Sequence, residues 1–199
     1  EGFTAFGEAW YNSLPYDDEG DKKMAAYLGT RQEPGVPSLL NFSLNTDIRD
    51  VFGSGKPTDR LRYRWESLYR NYPDPTQLFT FIDNHDMTRF RAGAGEKETD
   101  LALLYLFTNP GIPVVYYGTE QGFVETRASM FADGFGSGGK DHFNSDAAGY
   151  QWIKSLSELR LAHRSFRYGR VTVLNTNAAG AGALIYTLQE PSEKALVIM

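Results

Sequence analysis

The stretch FTFIDNHDMTRF, residues 79–90, decides how this chain is read. Its first half alternates Phe79 and Phe81 with β-branched Thr80 and Ile82, the composition of a strand buried in a core. Its second half sets Asp83, Asn84, His85 and Asp86 in a row where that strand has to stop. Charged groups and imidazole are costly to desolvate, so such a cluster at the C-terminal end of a core strand points to a site. Taken by themselves, the same residues also suit a turn followed by a helix cap.

Outward from this stretch the hydrophobic pattern predicts four strand-then-helix units. The first strand covers 3–7, and a polar loop at 17–21 leads to a short helix at 22–28. The second strand, 39–42, follows Gly35, Pro37 and Ser38 and continues helically over 47–52. A longer helix at 59–71 has Thr58 as N-cap, Pro73 as stop, and Leu61, Trp65, Leu68 and Tyr72 along one apolar face. The third strand, 78–82, precedes a helix at 98–108. Leu101, Leu103, Leu104, Leu106 and Phe107 make that helix apolar nearly all round, hence buried on most sides. Asn109-Pro110-Gly111 ends it.

The fourth strand, 112–117, is a continuous apolar run, as expected of a parallel strand covered on both faces. The Gly-rich stretch 134–139 lacks the Lys-Ser/Thr ending of a phosphate loop and reads as a flexible surface loop before an amphipathic helix at 146–163. After Arg167, short strands at 171–174, 183–188 and 195–199 mark the start of an antiparallel domain. The alternation of strand and helix implies a parallel sheet; periodicity serves an open sheet and a barrel equally.

Composition bounds the function. At 199 residues, 41% hydrophobic and 14% aromatic, the chain can fill one sizeable core. A net charge of −5 gives no footprint for nucleic acid or anionic lipid, and no apolar run approaches the roughly 20 residues that span a bilayer. Cysteine is absent, which excludes disulfides and thiolate metal sites. The chain begins almost inside one strand and stops inside another, so a piece of a longer protein is expected.

Three segments, in order, resemble motifs of the α-amylase superfamily (glycoside hydrolase family 13), in its α-amylase and cyclodextrin glucanotransferase branch. FTAFGEAWY, 3–11, resembles the strand carrying the acid/base Glu; FTFIDNHDMTRF resembles the strand ending in the Asn-His-Asp motif; GIPVVYYGTEQG, 111–122, resembles the last barrel strand. The resemblance runs over about residues 1–199 but takes in only part of the family's catalytic domain. It implies an α/β fold of the (β/α)8 TIM-barrel type, of which the chain holds the last four strand-helix units. A complete barrel takes about 250 residues. Residues 1–166 would then be the C-terminal half of the catalytic domain and 167–199 the beginning of a C-terminal β-domain.

The same resemblance implies roles. Cleavage with retention uses two carboxylates about 5 Å apart, one protonating the leaving oxygen and one attacking the anomeric carbon. Glu8 matches the acid/base, and Trp10 beside it would exclude water and contact substrate. Asp86 matches the carboxylate that holds substrate hydroxyls and stabilises the transition state, and His85 its sugar-binding neighbour. Asn84 either contacts sugar or, with Asp83, positions the loop. Arg127, in ETRASMF, stands where the family carries a longer Gly-Asp-Pro-Asn-Arg type loop that contacts distal sugars; here the Gly-Gly-Asp-Pro part is missing. Tyr116 and Tyr117 are expected to pack the barrel, Glu120 to fix a loop, and Arg89 has no assigned role.

The Gly-x-Arg-x-Asp segment that carries the family's nucleophile does not occur among these residues. The implied function is a retaining glycoside hydrolase acting on α-1,4-glucan such as starch or maltodextrin, inactive as this piece alone. A cyclodextrin glucanotransferase-like transglycosylase and a non-catalytic carbohydrate-binding barrel share the same residues. No metal or other cofactor is implied within the chain, and a structural Ca2+ is admitted only in a longer parent. The expected partner is an α-glucan, with no nucleic acid and no membrane, and with self-association through exposed barrel edges. Polymeric starch does not enter cells, which favours a secreted or periplasmic enzyme.

Overall fold

The computed structural model describes residues 4–199. Four parallel-aligned segments lie side by side in chain order. Gly7 bridges Leu39, and Leu40 bridges Phe79. Strand β1 (Phe79–Phe81) then pairs in parallel with β2 (Ile112–Val114), Phe79 opposite Ile112 and Phe81 opposite Val114. Only the last two segments are strands. The strands expected at 3–7 and 39–42 reduce to single bridges, and Phe3 lies outside the described residues. The physical reason at the second is Asn41. Its side chain accepts the Leu44 N–H at 3.0 Å and caps helix α2 (Phe42–Ile48), so Phe42 enters a helix instead of extending a strand.

Helix α1 (Glu19–Ala26) follows the first segment; α2 runs into one π-helical turn (Arg49–Gly53) before α3 (Asp59–Asn71). Leu61, Trp65, Leu68 and Tyr72 are buried along one face of α3. The same helix buries Arg64, which donates to Asp47 at 2.7 Å and to Asp21 and so joins α3 to α2 and α1. Burial pushes the Asp47 carboxyl up to about 6 against the pull of Arg64. Thr58 stands at the N-cap position of α3 but caps nothing with its side chain; its hydroxyl instead accepts the Asn177 N–H at 2.7 Å from the far end of the chain.

After β1 come the short helix α4 (Phe90–Ala94) and α5 (Glu96–Thr108). Leu103, Tyr105, Leu106 and Phe107 of α5 are buried, whereas Leu101 faces outward, so α5 is buried on most sides and open on one. β2 is half-buried along its length, not covered on both faces as its apolar run suggested, because among the described residues its only ladder partner is β1. Helices α6 (Ala148–Ala162) and α7 (Ser165–Tyr168) lead to an antiparallel sheet of β3 (Arg170–Asn175), β4 (Ile185–Glu190) and β5 (Glu193–Ile198), with β4 in the middle.

That sheet shares one core with the helices. Val171, Tyr186, Leu188 and Val197 join the cluster formed by α2, α3, α5 and β1. The Tyr186 hydroxyl lies 2.6 Å from that of Thr108, and the Val171 N–H donates to the Tyr69 hydroxyl at 2.8 Å. Buried Arg160 of α6 donates to the carbonyls of Phe107, Asn109, Gly111 and Phe166. These four acceptors satisfy a cation that has no carboxylate partner among the described residues, at the C-terminal end of α5 where the helix dipole favours positive charge. No described helix is long and apolar enough to cross a membrane.

Candidate functional site

The site residues are set by how β1 ends. Asn45 donates to the Phe81 carbonyl at 2.9 Å and Arg49 to that of Ile82 at 3.1 Å, so side chains of the preceding unit satisfy the last carbonyls of the strand. Two side-chain oxygens, one of a carboxylate and one of an amide, then close the turn. Buried Asp83 accepts the Phe90 N–H at 2.9 Å and starts α4, and Asn84 Oδ1 accepts the Asp86 N–H at 2.9 Å. Burial raises the Asp83 carboxyl above the usual carboxylate range, with the Phe90 N–H, Arg89 and Arg49 pulling the other way. The closures leave His85 and Asp86 on the surface, while the Asn84 amide nitrogen is buried with no hydrogen-bond partner.

Arg127 reaches this turn from the loop after β2. Its Nη2 donates to Asp86 Oδ1 at 2.7 Å and its Nε to the His85 carbonyl at 2.9 Å. His85 Nε2 lies 3.2 Å from Asp86 Oδ2. Both carboxylate oxygens of Asp86 therefore have partners, and Arg127 sits on Asp86 itself.

Beneath them is fully buried Arg89, to which the sequence assigned nothing. It donates to the carbonyls of Tyr117 at 2.6 Å and Glu125 at 3.2 Å, and its guanidinium lies 3.9 Å from the centre of the Tyr116 ring. Arg89 thus pins the loop that carries Arg127 against the loop that carries Asp86. Glu120, the residue expected to fix this loop, contributes its backbone carbonyl, onto which Gly149 backs so closely that a Cβ would come within 2.9 Å. Gly118 turns the chain at φ +84°, where a Cβ would also run into the Phe123 ring at 2.3 Å. Tyr116 packs on Arg89, with burial pushing its phenol up to about 12, and lies 6.5 Å from the His85 ring; Tyr117 is part-exposed.

Glu8 directly follows the Gly7 bridge and is exposed. Trp10 does not wall it off from water: its ring stacks on Phe42 at 4.7 Å, half its surface stays open, and Phe42 meets Phe81 edge-on at 5.1 Å. Asn84, His85, Asp86 and Arg127 are therefore brought into one cluster. Glu8 and Trp10 stand at the end of another parallel segment, and no hydrogen bond or ion pair among the described residues joins them to it.

Clefts lie elsewhere. One of about 550 Å³ separates α3 from β3 beside Tyr69 and Arg170; one of about 400 Å³ is lined by Phe52, Leu101, Leu184 and Met199. Neither includes Glu8 or Asp86. Asp17, Asp18 and Glu19 bring carboxylates within 4.8 Å of one another, but Lys22 already sits 2.9 Å from Asp18 and 2.8 Å from Glu19. An ammonium occupies the place of a cation there, so these residues do not fit a structural Ca2+ site.

Comparison with known proteins gives one direction. The family described as alpha amylase, catalytic domain, matches residues 56–156, just over half of the chain. A cyclomaltodextrin glucanotransferase of Paenibacillus macerans is 34% identical over 174 residues, which are 84% of this chain and 22% of that protein. An alpha-amylase of Niallia circulans is 33% identical over 171 residues, 82% of this chain and 29% of that protein. Among solved structures, a cyclomaltodextrin glucanotransferase with a three-domain ABC distribution superposes with a TM-score of 0.79 at 33% identity, covering 98% of this chain and 38% of that one. An Anoxybacillus alpha-amylase gives 0.78 at 25% identity, covering 99% and 41%. The chain thus spans well under half the length of these relatives.

Proposed function

The chain belongs to the α-amylase catalytic-domain family, and we propose that it carries the acid/base and transition-state-stabilising side of a retaining active site for α-1,4-glucan. One observation carries this reading. Gly7, Leu39–Leu40, β1 and β2 form a single parallel run, and in such a run the residues after every segment emerge at the same end; Glu8 follows the first and Asp86 the third. The proposed architecture is the last four strand-helix units of a (β/α)8 barrel over 1–166, with 167–199 beginning a C-terminal β-domain.

In this reading Glu8 gives its proton to the glycosidic oxygen as a carboxylate supplied by the rest of the parent protein bonds to the anomeric carbon. It takes a proton back from the incoming acceptor as that acceptor displaces the carboxylate. Asp86 holds substrate hydroxyls and stabilises positive charge at the anomeric carbon, a hydroxyl taking the place of Arg127 or His85 on one of its oxygens. His85, Asn84, Trp10 and Arg127 bind the sugar. No cofactor is assigned to these residues, and a structural Ca2+ is admitted only in a longer parent protein. No Gly-x-Arg-x-Asp segment occurs in the 199 residues, so the chain on its own does not turn over starch. Its open sheet edges, beside Gly7 and β2, favour self-association.

Water as acceptor gives an amylase, and a sugar hydroxyl gives a glucanotransferase. The second is favoured by the two relatives named as cyclomaltodextrin glucanotransferases. The test joins this chain to the upstream part of its parent. Glu8→Gln should lower turnover of unactivated glucan by about 10²–10⁴-fold while maltooligosaccharide binding persists. Near-normal turnover would remove Glu8 from the acid role, and binding without any turnover in the unmutated parent would leave the non-catalytic barrel. Linear or cyclic products separate the two enzymes.

A further inference from the structure

The loop that delivers Arg127 to Asp86 carries a second feature. Between β2 and α6 it displays Phe131, Phe135 and Phe143 at 66, 78 and 59% exposure, among the most exposed large apolar side chains of the described residues. Such exposure marks an interaction surface when the rings are held together. Phe131 and Phe143 meet edge to face with centroids 5.0 Å apart, an arrangement that leaves a ring face open.

The loop is built to hold them there. The His142 N–H donates to the Met130 carbonyl at 2.8 Å, and that bond places Phe131 and Phe143 next to each other on its two arms. The Ser129 N–H donates to the Phe135 carbonyl at 2.7 Å, the Ala132 N–H to Asp141 Oδ1 at 2.8 Å, and His142 Nε2 lies 2.8 Å from the Ser137 carbonyl. Ser137 is buried, and a Cβ at Gly134 would lie 2.1 Å from the Ser129 hydroxyl. The buried Ser137 hydroxyl and the loop's own hydrogen bonds lie within it while the phenyl rings face outward, the reverse of what solvation alone favours for the rings. The stretch that reads in sequence as a flexible glycine loop is cross-bonded.

We propose that Phe131, Phe135 and Phe143 form an additional glucan-binding surface, on which the C–H faces of pyranose rings stack at a distance from the reacting bond. The proposal rests on the glucan reading given above. A pyranose presents an apolar face with a rim of hydroxyls, and this loop answers in kind: exposed Asp133, Lys140 and Asn144 alternate along the chain with the three phenylalanines. An edge-to-face pair offers a small apolar face among polar neighbours, which suits a sugar ring better than the broad apolar core of a protein interface. Its loop reaches Asp86 through Arg127, four residues before Phe131.

The experiment titrates the full 199-residue chain with maltose and with maltoheptaose, for the native sequence, the double variant Phe131→Ala/Phe143→Ala, Phe135→Ala, and the conservative Phe131→Tyr. The rings are exposed, so truncation should leave the melting temperature unchanged. Loss of stacking should weaken maltoheptaose about tenfold in the double variant, leave maltose nearly unaffected, and spare Phe131→Tyr. Unchanged affinity for both sugars in all variants overturns the platform and leaves the glucan reading standing. Absence of binding by the native chain removes both. Concentration-dependent self-association that disappears in the double variant, with maltoheptaose affinity retained, makes the patch a protein contact and overturns the proposal.

Discussion

Around Asp86 two arginines divide by burial. Arg127 is exposed, and its pair with Asp86 adds little to stability, as exposed pairs do; its effect is on where that carboxylate points. Arg89 has no exposure, and its donors go to carbonyls 28 and 36 residues further along the chain. Arg89→Met should therefore destabilise the fold by roughly 3 kcal/mol, read by urea unfolding, because those acceptors and buried Asp83 lose their partner. A change below about 0.5 kcal/mol would show that water replaces the guanidinium. His85 and Asp86 were legible because they interrupt an apolar run. Arg127 was legible only through the family resemblance. Arg89 was not legible at all: nothing in Met87–Arg91 says which arginine turns inward, and its partners are remote in sequence.

Helices were easier to read than strands. α3 and α5 carry 13 residues each, enough for periodicity to declare a buried face. The parallel segments are one to three residues long, too short for period two to show, and the apolar run through Phe42 concealed a helix start that Asn41 marks. Thr58 shows the same limit, since a residue well suited to cap α3 is engaged by Asn177 instead. Thr58→Val keeps the shape and removes that acceptor. It should cost about 1–2 kcal/mol, with loosened hydrogen-exchange protection at Asn177 and unchanged protection within the first turn of α3. Loss confined to α3 would restore the capping role.

The molecule as a whole is held by buried charge as well as by apolar packing. With the Asp47 carboxyl raised by burial, its protonated form is favoured more in the folded chain than in the unfolded one. That contribution is present at low pH and is lost as pH rises from about 4 to about 6. Buried Asp83 acts in the same sense, while half-buried Asp18 and Asp59, held low by Lys22 and Arg62, act weakly in the other. Stability should fall on the order of 2–3 kcal/mol across that window, and Asp47→Asn should flatten the slope. A native slope identical to that of the variant would place the titration elsewhere. The single core has an implication for inheritance. Tyr186 reaches Thr108 and Tyr105, and Arg160 grips carbonyls from Phe107 to Phe166, so the seam near residue 166 is a change of architecture without being a place to cut. A crossover that exchanged residues 167–199 between two relatives would hand each recipient a sheet cut to another helix, and recombinants would persist only where the partners of Tyr186 travelled with it.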